Sequence, residues 1–573
     1  MSTVGIYLTV HEISGSLAAA LAALTASLMF IDRHIAGFTV KYSIGLAFGF
    51  LAIYFHVRAI KRNSFKAALI AGVLLGLTAT GWAGFNLILA AIFLQYVLTP
   101  LIKDTDKKYV MLWLCEVLPL ALFISITPFY GGYTYLIRSA GTIIPIGTVM
   151  ILFAYLLSRT SHKYPVTKKP FIIKNIRLTY FITLVVIGLL GLYGLFTGYI
   201  KIAGKGLAAM GLGFLTPTLV STVAQYRAAT PSEFMLWGGA PLIATVIGIA
   251  YLLYRLLTHR DVISLFTIML AAISFIATSN IAYFFSYHNL VIAMVSSIIV
   301  GEILLKRVTS AASLSWFIRV LATSMVLLYV VAIVLQGYFV WSGTYRGMVP
   351  TLIEAGTGLG ANIPSWINTL NWIRNNTSKE SVIVAWWDYG YWISVLGERP
   401  SVADGATLNL TQIELLAKAF TSDEETAAKI FIEKFEIPPD KLYVAVYEFF
   451  IVDDVRKMIF PGPLVLTRPD GTPYFIGADG AKGVAAIYKI AGVDIDKEVD
   501  EGGGPHVKVF AYRNPRTGLG YSYALPNWTS TDVRNALLYK IMIDGIHRVW
   551  AVSYTHLRAH ETSLHLVCRL LLE

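Results

Sequence analysis

Eleven apolar stretches, near residues 5–30, 43–60, 66–82, 84–101, 110–129, 140–158, 177–200, 236–258, 262–280, 286–305 and 315–341, follow one another through the first 341 positions. A helix of about 20 apolar residues crosses the hydrocarbon of a bilayer, because it pairs its own peptide groups where no water can. Hydrophobic residues make up 56% of the chain and charged ones 14%, with a mean hydropathy of +0.64. A water-soluble chain of 573 residues could not bury that much apolar surface. The pattern predicts a polytopic α-helical membrane domain over residues 1–341.

The connections carry the charge. Basic residues collect at Arg58, Lys61, Arg62 and Lys66, at Lys103, Lys107 and Lys108, across residues 158–177, at Arg255 and Arg260, and at Lys306 and Arg307. Every second loop is therefore basic, which the positive-inside rule places in the cytoplasm. The formal charge of +12 is mostly of this kind. No aromatic and basic residues interleave as a nucleic-acid surface would require. The alternation sets a multi-pass cell-membrane protein with residue 342 onward outside. With only Cys115 and Cys568, no intrachain disulfide framework is expected.

Within that outer part, Val382-Ile383-Val384-Ala385 reads as a buried strand that runs into Trp386-Trp387-Asp388-Tyr389-Gly390 and then a helix. A strand that feeds a helix through a short turn presents the side chains at its carboxyl end in a crevice. Two indole N–H donors, a carboxylate and a phenol within four residues can hold a hydroxyl group. Asp388 takes its proton while Trp386 and Trp387 donate to its oxygen. The plainer alternative is a pair of core tryptophans beside an N-cap aspartate.

The stretch WWDYG, with the preceding WINTLNWIRNNTSKES, then Arg399, VADGAT and QIELLAKAF, resembles the catalytic subunit of oligosaccharyltransferases in its archaeal, AglB-type form. The resemblance implies a GT-C-like membrane domain of thirteen spans followed by a soluble external α/β domain with a β-rich extension. Its boundaries here would be 1–341, 342–461 and 462–551. It also implies that Trp386, Trp387, Asp388, Tyr389 and Gly390 recognise the Ser or Thr of an Asn-X-Ser/Thr acceptor. A helix bearing Asp-X-X-Lys completes that pocket in the archaeal family, and Asp454 to Lys457 has the spacing. Eleven spans in this orientation correspond to spans three to thirteen, so the chain is expected to lack the first external loop with its metal-binding aspartate. Residues 552–573 look like translated adapter sequence, a probable non-native tail.

Other family positions depart from the pattern. Arg33, Ala36, Gly37 and Phe38 fall in place, with Arg33 a candidate for donor-phosphate binding, but the acidic pair that should follow is Val40 and Tyr42. Asp32 is the carboxylate nearest in sequence and the candidate catalytic substitute. The glycine-rich loop 200–235 corresponds to the family's mobile loop over the acceptor, and its closing motif reads Thr222-Val223-Ala224-Gln225. Gln225 stands where a catalytic glutamate is expected; it keeps the shape and loses the charge. His288 falls near the position that holds the donor's diphosphate.

The expected activity is transfer of an oligosaccharide from a polyprenyl-phosphate carrier to the acceptor Asn, in protein N-glycosylation. The expected partners are the lipid-linked oligosaccharide, an acceptor polypeptide and membrane lipids, not nucleic acid. The resemblance implies Mn²⁺ or Mg²⁺, yet Val40, Tyr42 and Gln225 offer no carboxylate, and a hard cation wants oxygen ligands. The metal ligands therefore stay unassigned. Two alternatives remain at this point: an inactive paralogue or accessory subunit that binds sequons, and another membrane glycosyltransferase that uses a lipid-phosphate sugar.

Overall fold

The computed structural model describes residues 1–29, 41–163, 175–202, 204–213, 222, 226–305, 316–344, 364–405, 407, 409–448, 450–453, 458–461, 464–467, 473–476, 479–513, 520–542 and 565–569. The chain divides into two units, Met1–Thr216 with Ala224–Pro350, and Pro217–Val223 with Thr351–Glu573.

The first unit is all helical among its described residues. The apolar run expected as one span over 5–30 is two helices, α1 (Ser2–Ser14) and α2 (Ser16–Leu28), broken at Gly15. Gly15 has φ 93 and ψ 177, a conformation that essentially only glycine adopts. Packing fixes where the two helices run. Gly5 lies against the backbone of Phe50, where a Cβ would come within 2.6 Å of its carbonyl carbon. Glu12 pairs with Arg62 at 2.7 and 2.9 Å. So α1 runs alongside, and in the same direction as, α3 (Lys41–Arg62). After Gly15 the chain turns back: Ala18 and Ser14 meet Gly301, and Leu28 meets Gly337.

The remaining long helices are α4 (Phe65–Gly81), α5 (Phe85–Ile102), α6 (Lys107–Ile126), α7 (Ile143–Lys163), α8 (Ile176–Phe196), α9 (Pro231–His259), α10 (Val262–Asn280), α11 (Phe285–Val300) and α12 (Trp316–Thr344). Among the described residues nine helices are long and apolar enough to cross a membrane, and α2 and α4 are shorter apolar helices. Side-chain caps open several of them: Ser64 accepts from Ala67 N–H, Asp106 from Tyr109 N–H and Asp261 from Ile263 N–H. In α9, Pro241 has no N–H to offer the Trp237 carbonyl, and the Gln336 amide donates to that oxygen at 2.9 Å instead. The Glu12–Arg62 pair and the Arg255–Asp261 (2.8 Å) and Arg255–Glu302 (3.3 Å) pairs lie at the same end of the bundle as the Ala18–Gly301 contact.

Polar atoms also sit in the middle of this bundle. His56 Nδ1 lies 2.9 and 3.0 Å from the two Glu116 oxygens, and its Nε2 lies 2.5 Å from Gln95 Oε1. Tyr96 donates to Glu116 at 3.3 Å, and all four residues are buried. Inside hydrocarbon such groups persist only when paired. Hydropathy did not single them out, because one Glu and one His barely alter the mean of a 20-residue window.

Among its described residues the second unit has one hydrophobic core. Helix α13 (Pro364–Asn376) precedes β1 (Val382–Val384), and β1 pairs in parallel with β2 (Leu442–Tyr447), Val384 opposite Val444. The short helix α14 (Gly390–Val395) and α15 (Leu410–Thr421) lie in the crossover between them. His565–Arg569 lies antiparallel along the other edge of β2. Strands β3 (Phe450–Asp453) and β4 (Met458–Pro461) pair antiparallel; Asp454 to Lys457, for which a helix is expected, lie outside the described residues. A second hairpin, β5 (Leu464–Thr467) with β6 (Pro473–Ile476), follows, and β7 (Val507–Arg513) with β8 (Gly520–Pro526) forms a third. Between the last two hairpins the chain is helical, beginning with α16 (Asp479–Lys482) and a π-helical turn over Gly483–Ile487. Val484, Ile487 and Tyr488 pack in the same core as Ile383, Trp386 and Leu416, so position 461 is no boundary of that core.

Candidate functional site

At the carboxyl end of β1 the backbone leaves the sheet. Ile383, Val384 and Ala385 are fully buried, and Trp386, 2% exposed, closes the core. Trp387–Tyr389 then form a single 3₁₀ turn, and α14 starts at Gly390. Gly390 is required by close approach: a Cβ there would fall 2.1 Å from the Ala403 carbonyl oxygen. The turn sends consecutive side chains in different directions. Trp386 and Tyr389 go inward, while Trp387 and Asp388 stay half-buried at the rim.

Asp388 meets a lysine that the sequence reading did not single out. Lys482 Nζ lies 2.6 Å from Asp388 Oδ2, donates to the Tyr389 hydroxyl at 2.9 Å and stands 4.5 Å over the Tyr389 ring. The Tyr389 hydroxyl donates to Asp479 Oδ1 at 2.7 Å, and Tyr447 N–H donates to Asp479 Oδ2 at 2.8 Å. Burial pushes the Asp479 carboxyl up to about 6, against the lowering effect of Lys482 and these two donors. Beneath them, Trp366 packs on Tyr389, Trp392 and Tyr447. Gly480 again marks a close approach, since a Cβ would lie 2.1 Å from Glu448 Oε2.

One donor in this site is unspent. Trp387 Nε1–H is buried and has no partner among the described residues. A buried N–H without an acceptor costs free energy, on the order of 1–3 kcal/mol, that an incoming oxygen would return. The Asp388 carboxylate, held by Lys482, is a hydrogen-bond acceptor in the same turn. A hydroxyl both donates and accepts, so a donor and an acceptor of this kind suit one.

The signal that could have found Lys482 was present. Asp479-Gly480-Ala481-Lys482 repeats the Asp-X-X-Lys spacing of Asp454 to Lys457, here on a helix and beside WWDYG.

In the membrane unit, Asp32, Arg33, Val40 and Gln225 lie outside the described residues. The described neighbours of these positions do come together. Tyr42 packs edge-on to Tyr283 at 5.4 Å, Tyr283 packs edge-on to Tyr226 at 6.0 Å, and Lys205 Nζ stands 4.9 Å over the Tyr226 ring. Arg227 pairs with Glu233, whose carboxylate also closes a capping box with Thr230 at the start of α9. His288 was expected near the donor's diphosphate, but it is 1% exposed and turned into the bundle. It lies 3.1 Å from Ser274 Oγ and edge-on to Phe234. Its ring also lies against Phe275 at 6.1 Å. Among the described residues no three His, Cys, Asp or Glu side chains converge to hold a metal ion.

A multi-span helical membrane domain joined to a soluble α/β domain is the architecture of the oligosaccharyltransferases, and the chain carries it. Over 95% of its length it superposes on the archaeal oligosaccharyltransferase AglB from Archaeoglobus fulgidus, solved with an inhibitory peptide and a dolichol-phosphate, with a TM-score of 0.65 at 17% identity and 66% of that chain covered. A second structure from the same organism, tethered to an acceptor peptide containing the NVT sequon, gives a TM-score of 0.62 at 18% identity, covering 95% of this chain and 65% of that one.

More particularly, residues 379–444 match the STT3/PglB/AglB core domain, so the chain contains the stretch in which WWDYG lies. The Schizosaccharomyces pombe glycosyltransferase subunit stt3 is 30% identical over 115 residues, 20% of this chain and 15% of its own. The Caenorhabditis elegans subunit stt-3 is 27% identical over 118 residues, 20% of this chain and 16% of its own. Both are dolichyl-diphosphooligosaccharide–protein glycosyltransferase subunits. The matched stretches are thus about a sixth of these curated relatives, and the chain spans just under two thirds of the AglB chain.

Proposed function

We propose that this protein acts in protein N-glycosylation as an AglB-type glycosyltransferase, moving an oligosaccharide from a polyprenyl-phosphate carrier to the Asn of Asn-X-Ser/Thr. The observation that carries the reading is the rim at the end of β1, where the unspent Trp387 N–H and the Lys482-oriented Asp388 carboxylate stand together. There the third residue of the acceptor triplet donates its hydroxyl proton to Asp388 and accepts from Trp387, and an Ala at that position does neither. Trp386 and Tyr389 hold the rim by their burial, and Gly390 lets the following helix approach. Lys482 takes the place assigned above to Lys457. What these residues contribute is positioning: the acceptor amide is a poor nucleophile, since resonance engages its nitrogen lone pair, and it must be held against the donor.

One solved neighbour is an Archaeoglobus fulgidus oligosaccharyltransferase complex with Zn and sulfate. A divalent ion would offset charge on a leaving phosphate. In this chain the described residues do not fit one: Tyr42 is engaged with Tyr283, and Glu233 with Arg227 and Thr230. No step is therefore assigned to a metal. A second reading, a sequon-binding subunit that does not itself transfer sugar, rests on the sequence alone, where Val40, Tyr42 and Gln225 stand at positions for which the resemblance implies carboxylates. The basic residues at the Arg62 end of the bundle support a cell-membrane protein with that end in the cytoplasm and the second unit outside.

The test has two parts. An Asn-X-Thr peptide should bind the full chain more tightly than Asn-X-Ala by about 1–3 kcal/mol, and Asp388→Ala should remove that difference. Equal binding of the two peptides by the unmutated protein refutes the acceptor site. Transfer of a labelled lipid-linked sugar to the Asn-X-Thr peptide then separates the enzyme from the binding subunit.

A further inference from the structure

Among the described residues of the second unit six large apolar side chains are exposed, and three of them, Tyr391, Val395 and Leu396, fall within six consecutive positions. Scattered singly such residues need no explanation; gathered beside a candidate site they mark a contact surface. The 3₁₀ turn Trp387–Tyr389 runs directly into α14, so the two form one short helical stretch. At about 100° per residue, Trp387, Asp388, Tyr391 and Val395 fall on one side of it and Tyr389, Trp392 and Ile393 on the other. The second side is buried, while Tyr391 is 49% and Val395 66% exposed. The unspent donor, the carboxylate and two bare apolar side chains thus share one outer face.

Packing holds that face in place. Gly390 sits on the Ala403 carbonyl, and Trp392 packs edge-on to Trp366 at 5.2 Å. The backbone of Gly405 lies beside the Tyr391 ring, where a Cβ would come 3.2 Å from Cε2. A ring fixed before a ligand arrives loses little conformational entropy on binding.

Spacing decides what the face can take. Along the helix, at about 1.5–2.0 Å per residue, Tyr391 lies ~5 Å and Val395 ~11 Å beyond Asp388. An extended peptide advances about 3.3 Å per residue and returns a side chain to the same side at every second one. With the hydroxyl of the third acceptor residue on Asp388, the fifth residue stands about 7 Å further on, between Tyr391 and Val395. The Asn end of the triplet must leave toward a donor carried by a lipid, so the residues after the hydroxyl are the ones that remain over α14.

We propose that the Tyr391–Val395 face of α14 selects an apolar side chain two positions after the Ser or Thr of the acceptor. The inference rests on the acceptor reading above for the register of the peptide. Tyr391 supplies a flat ring and Val395 a stiff β-branched wall. Burial, and after it the Asp404 carboxylate, raises the Tyr391 phenol above its ordinary value, so a negative charge borders the face and disfavours an acidic fifth residue.

The experiment measures peptide binding to the full chain in lipid nanodiscs, with empty nanodiscs as the blank. The probes are Asn-X-Thr-Gly-Leu, Asn-X-Thr-Gly-Ser, Asn-X-Thr-Gly-Asp, Asn-X-Ala-Gly-Leu and Leu-Gly-Asn-X-Thr, all with blocked ends. The Leu peptide should bind about five- to tenfold more tightly than the Ser peptide, and the Asp peptide most weakly of the three. In Tyr391→Ser and in Val395→Ser the preference for Leu over Ser should fall to about twofold or less, and Tyr391→Phe should keep it. Melting curves report whether each variant folds, and Val395→Ser carries the test should Tyr391→Ser unfold. Equal affinity for the Leu and Ser peptides, with Thr still preferred to Ala at the third position, overturns the proposal and leaves the acceptor site standing. A Leu preference that survives both serine variants overturns it too, since the lipid and not α14 would then hold the side chain. Leu-Gly-Asn-X-Thr binding as tightly as Asn-X-Thr-Gly-Leu overturns the direction. No preference for Thr over Ala overturns the acceptor reading and, with the register lost, this inference as well.

Discussion

Replacing Lys482 with Met removes one cation and leaves three oxygens changed. Asp388 loses a partner at 2.6 Å, the Tyr389 hydroxyl loses a donor at 2.9 Å, and buried Asp479 loses its nearby positive charge at 3.9 Å. The Coulomb attraction of the Asp388 pair alone, at an effective dielectric of about 20, is on the order of 6 kcal/mol. Most of that is offset by drawing both groups from water, since each side chain is about 30% exposed (29% and 30%). Hydrogen bonds to charged groups contribute about 1.5–3 kcal/mol net. That range sets the expectation: Lys482→Met should weaken Asn-X-Thr peptide binding by roughly ten- to a hundredfold, because Asp388 is then free to turn toward water. The measurement is a binding isotherm of the full chain, with Lys489→Met as the control. Lys489 pairs with Asp496, 74% exposed, so its loss should cost no more than a few tenths of a kcal/mol. Peptide affinity in Lys482→Met equal to that of the control would refute the claim that the lysine orients the aspartate.

In the membrane unit, His56→Leu or Glu116→Leu alone leaves a buried polar side chain without its partner and should lower the stability of the purified protein by about 1–3 kcal/mol. The double variant should lose clearly less than the sum, and additive losses would show that the two are not a pair. Asp479 gives a pH dependence. Its carboxyl holds a proton up to about 6 when folded against 3.8 ordinarily, so the folded state binds more protons and stability falls as pH rises from about 4 to about 6, by at most about 3 kcal/mol. Melting curves across that window should show a fall that Asp479→Asn lacks; parallel profiles would refute the assignment. For sidedness, a membrane-impermeant thiol reagent applied to cells expressing variants without Cys115 and Cys568 should label Lys434→Cys and not Asn63→Cys. The reverse pattern would invert the topology.

The membrane architecture was legible in the sequence because hydrocarbon imposes a rule that composition alone can satisfy: about 20 apolar residues per span, with basic residues at one end. Ten of the eleven expected spans correspond to single described helices, several extending beyond the apolar stretch. The eleventh fails at Gly15, where hydropathy cannot distinguish one long helix from two that meet at a glycine; the contacts with Phe50, Arg62 and Gly337 distinguish them. The strand, the turn at WWDYG and the short helix after it were likewise local, decided by four consecutive apolar residues and a glycine. The partner of Asp388 was not local. Lys482 lies 94 positions further on, and an Asp-X-X-Lys spacing occurs three times in this domain, at 454–457, 479–482 and 494–497. Spacing alone cannot rank the three; only the tertiary structure put one lysine 2.6 Å from the carboxylate. The same holds for His56 and Glu116. Each is an unremarked residue on its own helix, and the pair is set by a distance that only the tertiary structure fixes, because electrostatic and hydrogen-bonding energies depend on separation in space and not along the chain.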